Sequence, residues 1–183
     1  MAEALLFIAQ GFEEIEGLTV VDLLRRASIE VVTVSIDGQL MVTGAHGITV
    51  KADCLFEEAD FNGADMLILP GGMPGTRNLQ AHSGLCNKIR VFEEAGKFLS
   101  AICAAPVVLG ANGALEGKKA TCYPGFEDEL NCAEVLGDPV VWDRNVITSR
   151  GLGTAIEFAL AIIERLRNRE EAVKAAESII YPI

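Results

Sequence analysis

The sequence has little positive charge: 15 Lys and Arg stand against 26 Asp and Glu, a net charge of −11. A chain that negative repels phosphate backbones, so binding of duplex DNA or RNA by charge is not expected. No basic cluster marks an anionic membrane surface. Long apolar runs are missing too. Stretches such as Phe158 to Ile163 fall far short of the ~20 residues a membrane span needs. Met1-Ala2-Glu3 lacks the basic start of a secretory leader, so a soluble cytoplasmic protein is expected. The five cysteines are odd in number, irregularly spaced and without a C-x-x-C pair, which argues against a disulfide framework or a zinc site. Only two histidines are present, His46 and His82, and neither has ligand spacing to a cysteine, so no metal is expected.

What is present is apolar material, 50% of the residues, enough for the core of one domain over residues 1–183. Strand-like and helix-like segments alternate. Ala4–Ala9 is a continuous apolar run, as a strand covered on both faces should be. Glu13 opens a helix whose Val20, Leu23, Leu24 and Ala27 repeat on one face. Ile29 to Ile36 is the next strand, rich in β-branched residues. Gln39 to Lys51 reads as a hairpin around Gly44 and Gly47. Strands follow at Asp65–Leu69, Lys97–Ile102 and Lys118–Cys122, and two more flank an Asp143-Arg144 turn. Helices are predicted over Ser83–Ala95, Ala104–Asn112 and Glu170–Ile180, and over a stretch ending near Leu166 that Thr154 and Glu157 open as a capping box. Trp142 is expected in the core, Cys122 as a buried thiol, and Glu127-Asp128-Glu129 as a solvated face. The alternation predicts a mostly parallel sheet with helices on both faces, its sites at the carboxyl ends of the strands.

One such end carries chemistry. Cys103-Ala104-Ala105-Pro106 follows the strand ending at Ile102 and leads into an apolar helix, the layout of a nucleophile elbow. A thiol there faces the free N–H groups of a helix start, which favour the thiolate. The competing reading is one more small core residue, and the layout alone does not separate the two. Pro70-Gly71-Gly72 ends an adjacent strand, and its glycines could bring N–H groups to an oxyanion. Glu13, Glu14 and Glu16 follow the first strand, and spacing does not choose among them.

Four runs occur in order along the chain: Gly11-Phe-Glu-Glu-Ile-Glu16, Leu67-Ile-Leu-Pro-Gly-Gly72, Ala101-Ile-Cys-Ala-Ala-Pro106 and Thr148-Ser-Arg-Gly-Leu-Gly-Thr154. Together they resemble the ThiJ/PfpI family, in the branch of the Parkinson-linked protein deglycase and its bacterial relatives. The resemblance implies a flavodoxin-like, three-layer α/β/α sandwich (class I glutamine-amidotransferase-like) and a homodimer. It makes Cys103 the nucleophile, Glu16 the carboxylic acid beside it, and the backbone of Gly72 and Ala104 the oxyanion site. Gly71, Tyr123 and Arg26 are expected around the pocket. A Glu held beside a thiolate should have its pKa raised by burial and like charge. The implied activity needs no metal or organic cofactor. It is that of a glutathione-independent glyoxalase or deglycase acting on small reactive aldehydes or glycated protein groups. The alternatives are a redox-responsive or chaperone protein whose Cys103 oxidises to sulfinic acid, and a cysteine peptidase or amidase. Two departures matter. Ala104 stands where the family's peptidases place a His, and Tyr123 stands where a Thr-x-His-Pro histidine would be.

Overall fold

A computed structural model describes residues 3–182; Met1-Ala2, part of the stretch read for a leader, lies outside the described residues. The chain runs through β1 (Ala4–Ile8), α1 (Glu14–Arg26), β2 (Val31–Ser35), β3 (Met41–Thr43), β4 (Thr49–Lys51), β5 (Cys54–Leu55) and β6 (Met66–Leu69). It continues through α2 (Gly75–Ala81), α3 (Ser83–Glu94), β7 (Phe98–Ile102), α4 (Pro106–Ala111), β8 (Lys119–Ala120) and β9 (Glu134–Val135). It ends with β10 (Val140–Asp143), β11 (Val146–Ser149), α5 (Ala155–Leu166) and α6 (Arg169–Ser178).

Seven strands form one sheet in the order β10-β11-β7-β6-β1-β2-β5. All neighbours are parallel except β10, which runs antiparallel to β11. The pleat divides the core in two. Leu5, Phe7 and Leu67 face one side with Leu85, Ile89 and Val108 from the α2–α4 side. Leu6, Ile8 and Ile68 face the other with Leu24 of α1 and Phe158 and Ile162 of α5. Every residue of β1 is buried, which is why its sequence is continuously apolar rather than alternating. This is the flavodoxin-like α/β/α sandwich. Among the described residues, no helix is long and apolar enough to cross a membrane.

The expected hairpin is β3–β4, an antiparallel pair outside the main sheet. Several expectations differ from the structure. The strand expected over Lys118–Cys122 shortens to β8 and pairs with β9 instead of joining the main sheet, because β10 occupies the edge beside β11. Helix α2 was not legible, since Leu79 is the only large apolar residue in Gly75–Ala81. Thr154 is the N-cap of α5 but closes no capping box. Its hydroxyl is 2.7 Å from Ser149 Oγ and donates to the Gly151 carbonyl at 2.9 Å, while Glu157 accepts from the Tyr181 hydroxyl. Trp142 is not in the core: it is 42% exposed, and the Arg165 guanidinium lies 5.1 Å from its ring centre. The ring sits on the outer face of an edge strand, where a cation covers it instead of packed neighbours. Cys122 is buried as expected, at 4% exposure.

Phe158 is fully buried between α5 and the sheet. Phe158→Ala should lower the free energy of unfolding by about 3–5 kcal/mol, read as a fall in the urea midpoint at unchanged slope.

Candidate active site

The carboxyl ends of β1, β6, β7 and β11 lie side by side, so the segments that follow them converge. Cys103 comes directly after β7 with φ of +66°, a region an L side chain rarely occupies. That strained turn lifts the thiol away from the strand. It is pinned from both sides: the Cys103 N–H donates to the Ser149 carbonyl at 2.9 Å, and the Tyr123 N–H donates to the Cys103 carbonyl at 2.8 Å. Pro106 then starts α4 at a position where its missing N–H costs nothing.

Glu16 enters from the first turn of α1 and is 1% exposed. Its Oε2 accepts the Gly71 N–H at 2.9 Å. Gly71 must be glycine. A Cβ there would lie 2.6 Å from Cys103 Cβ and 2.7 Å from Glu16 Oε2. Gly72 has φ of +91°, and a Cβ on it would lie 2.2 Å from the Glu13 nitrogen. The two loops lock further through the Glu13 N–H, which donates to the Gly71 carbonyl at 2.8 Å.

Burial pushes the Glu16 carboxyl up to about 7, and the charge of Glu13 adds to the push. Hydrogen bonds with Cys103 and from the Gly71 and Leu152 N–H groups oppose it without winning. Burial likewise pushes the Cys103 thiol up to about 12, helped by the charge and hydrogen bond of Glu16. The N–H groups of Ala104 and Gly72 both favour the sulfur anion, but burial and Glu16 outweigh them. The N–H group after Cys103 favours the thiolate, but it does not by itself produce one. Helix α4 has only six residues and begins three positions later. Two adjacent buried acids disfavour a double negative charge, so the pair keeps one proton over a wide pH span. Above about pH 7 that proton resides on the Cys103 sulfur, and the Glu16 carboxylate stands beside it as the acceptor.

Tyr123 is 51% exposed, and its ring lies over Gly151, where a Cβ would be 3.3 Å from the ring and 3.8 Å from Glu16 Oε1. It lines an open cleft with Pro124, Pro139, Arg150, Gly151 and Leu152. The run Thr148–Thr154 is legible as a motif, but that it forms the cleft wall and brings Arg150 there follows only from the fold. Arg26 is not a pocket residue. It ends α1 about 15 Å along the helix from Glu16 and bonds Asp22 on the surface at 2.6 Å. The helix start carries the site, so its last turn points away. The histidines are engaged elsewhere. His82 Nδ1 accepts the Leu85 N–H at the start of α3, and His46 faces Glu13 and Glu14.

The DJ-1/PfpI family matches residues 2–165 of this chain. The chain belongs to the DJ-1/PfpI family. Protein DJ-1 homolog B of Arabidopsis thaliana is 36% identical over 180 residues, covering 97% of this chain and 41% of that protein. The chain spans less than half the length of the plant relatives it matches. The glutathione-independent glyoxalase DJR-1.2 of Caenorhabditis elegans is 32% identical over 173 residues, 93% of this chain and 89% of that one. The oxidized DJ-1 of Toxoplasma gondii superposes with a TM-score of 0.96 at 36% identity, both chains fully covered. As a DJ-1/PfpI protein, the chain has Tyr123 where the motif histidine is absent, and no second imidazole replaces it among the residues around Cys103.

The raised carboxyl of this DJ-1/PfpI chain has a consequence for stability. Unfolded, Glu16 loses its proton near 4.5; folded, near 7. Between those values the folded state binds more protons, so this contribution is full below the lower value and is lost as pH rises through the upper one. The urea stability of the wild type relative to Glu16→Gln should therefore fall across that window, by on the order of 2–3 kcal/mol. A difference flat with pH would mean an ordinary carboxylate.

Proposed function

We propose that this chain is a cysteine enzyme acting on reactive carbonyls, a glutathione-independent glyoxalase or deglycase. The observation that carries the reading is the buried Glu16 carboxyl beside Cys103, two groups that share one proton under the N–H groups of Gly72 and Ala104. A relative named as a glutathione-independent glyoxalase supports it. With methylglyoxal, the Glu16 carboxylate takes the Cys103 thiol proton as the sulfur adds to the aldehyde carbon. The resulting alkoxide sits on the two N–H groups and takes the Glu16 proton, giving a hemithioacetal. The Glu16 carboxylate then removes the proton on that carbon and returns it to the neighbouring ketone carbon, while the hydroxyl proton passes to the ketone oxygen, which leaves a lactoyl thioester. Water hydrolyses the thioester to lactate and restores the thiol. The sequence is redox-neutral, so its balance needs no external oxidant, reductant or organic cofactor. Glycated amines and thiols would enter by the same addition. The five free cysteines suit a reducing, cytoplasmic setting.

A second reading is oxidation of Cys103 to sulfinic acid, favoured by the oxidized state named for the Toxoplasma gondii relative. Here a protonated Glu16 would donate to the sulfinate. A peptidase or amidase is the weakest reading, since Ala104 follows the nucleophile and no imidazole stands by. A second copy of the chain completes the proposal. Ile15, Leu18 and Ile48 are exposed and apolar on and beside α1.

Lactate formed from methylglyoxal without glutathione should be abolished in Cys103→Ala and reduced by roughly 10²–10⁴-fold in Glu16→Gln. No turnover in the wild type, with peroxide modifying Cys103 selectively by mass spectrometry, would favour the redox reading. Sedimentation equilibrium should return a dimer; a monomer at working concentrations would remove that part of the proposal.

A further inference from the structure

The segment 123–129 carries Tyr123 and Pro124, which wall the cleft beside the cysteine site. Every residue in it is exposed except Phe126, which is partly buried. It is stiff all the same. The Phe126 N–H donates to the Tyr123 carbonyl at 3.2 Å, with Pro124 and Gly125 between them and Gly125 at φ of +98°. Proline followed by a left-handed glycine is the signature of a type II turn. The 3-10 turn Glu127–Glu129 follows at once, and the Leu130 N–H donates to the Glu127 carbonyl at 3.2 Å. Short-range bonds thus run from one end to the other and make the segment one rigid piece.

Two attachments hold its ends. The Tyr123 N–H donates to the Cys103 carbonyl at 2.8 Å. Leu130 is fully buried, and a Cβ on Gly110 of α4 would meet its carbonyl. A rigid piece fixed at two points can still turn about the line between them, and the Tyr123 ring would swing with it. A third contact removes that freedom. Helix α2 and the turn Glu127–Glu129 both pack on α4, and Arg77 of α2 links them. Its Nη1 donates to Glu129 Oε2 at 2.7 Å and its Nη2 to Glu129 Oε1 at 2.8 Å. Nη1 also donates to Gln80 Oε1 at 2.8 Å, which orients the fork from its own helix. The guanidinium lies 5.9 Å from the Phe126 ring centre. An isolated surface ion pair holds little, but a two-bond fork on an oriented side chain is the geometry in which such pairs count.

We propose that the Arg77–Glu129 pair is a latch that positions Tyr123 at the reactive cysteine, which makes Arg77 a positioning residue for substrates entering the cleft. Latched, the Tyr123 ring stays over Gly151 and the Cys103 carbonyl keeps its donor. Unlatched, the wall swings and both contacts loosen. Arg77 acts through the place of the wall, so substrate capture depends on it more than the bond-making steps do. The latch lies on the α2–α4 side of the sheet, away from the α1 face assigned to the second copy. Its effect on turnover rests on the carbonyl reading above; its effect on the wall does not.

Arg77→Gln should raise KM for methylglyoxal about threefold to tenfold, with kcat changed less than about twofold. Arg77→Glu, which faces Glu129 and its acidic neighbours, should do more. The exchange Arg77→Glu with Glu129→Arg should bring KM back to within about twofold of wild type, a rescue that lost packing alone would not allow. Two measurements work without turnover. Cleavage after Glu127 by a Glu-specific protease should speed up at least about threefold in Arg77→Gln and slow again in the exchange. Alkylation of Cys103 by a bulky maleimide, followed by peptide mass spectrometry, should change in the same order. If the wild type turns over no methylglyoxal, the carbonyl reading falls and these two rates still decide the latch. Equal rates in wild type and Arg77→Gln, or a defect that the exchange does not recover, would overturn it.

Discussion

A carboxyl group and a thiol share one proton in a place where neither is well solvated, and the site's backbone is arranged to permit that contact. Glu16 is buried because α1 lies across the sheet with its first turn over the ends of β1 and β6. Cys103 reaches it because β7 ends in a strained turn. Gly71 has no side chain because both reactive groups occupy the volume a Cβ would need. Any of these removed alone would separate the pair or flood it with water. The cost of burying an acid is met locally by the N–H groups of Gly71 and Leu152 and by an ionisation delayed to about 7.

Two glutamates of one helix turn show how environment sets acid strength. Burial pushes both upward. For Glu14, the hydrogen bonds from backbone N–H groups and His46 outweigh burial, and its carboxyl is held below the usual range. For Glu16, fewer donors reach the oxygens, and burial wins. Positions two residues apart thus hold an anion that anchors a hairpin and a titrating acid that faces a thiol. The difference comes from where the β3–β4 turn delivers its amides, not from the residue type.

The sheet and its faces were legible because their cause is local. Continuous apolar runs at Ala4–Ala9 and Asp65–Leu69, and the 3.6-residue repeat of α1, follow from burial on one or two faces. The elbow at Cys103 was legible for the same reason: small residues and a proline mark a tight strand-to-helix turn. The failures share a different cause. Lys118–Cys122 has strand character but lost its place in the sheet to β10, a competition between distant segments. Trp142 lies outside because β10 is an edge strand. Thr154 had capping spacing, yet Ser149 and Gly151, brought in by β11, took its hydroxyl.

By itself, the sequence determined the alternation of elements, the net negative charge, and the one cysteine at a strand-to-helix turn. Each of these is a property of neighbouring residues, and neighbours are what a sequence records. The selection of Glu16 from three acids needed either the family's motif or the fold. The meeting of Glu13 and Glu14 with His46, the rise of both the acid and the thiol, and the exclusion of Arg26 from the pocket were decided only by the tertiary structure. These depend on distances and solvent access between segments tens of residues apart, which spacing along the chain does not encode.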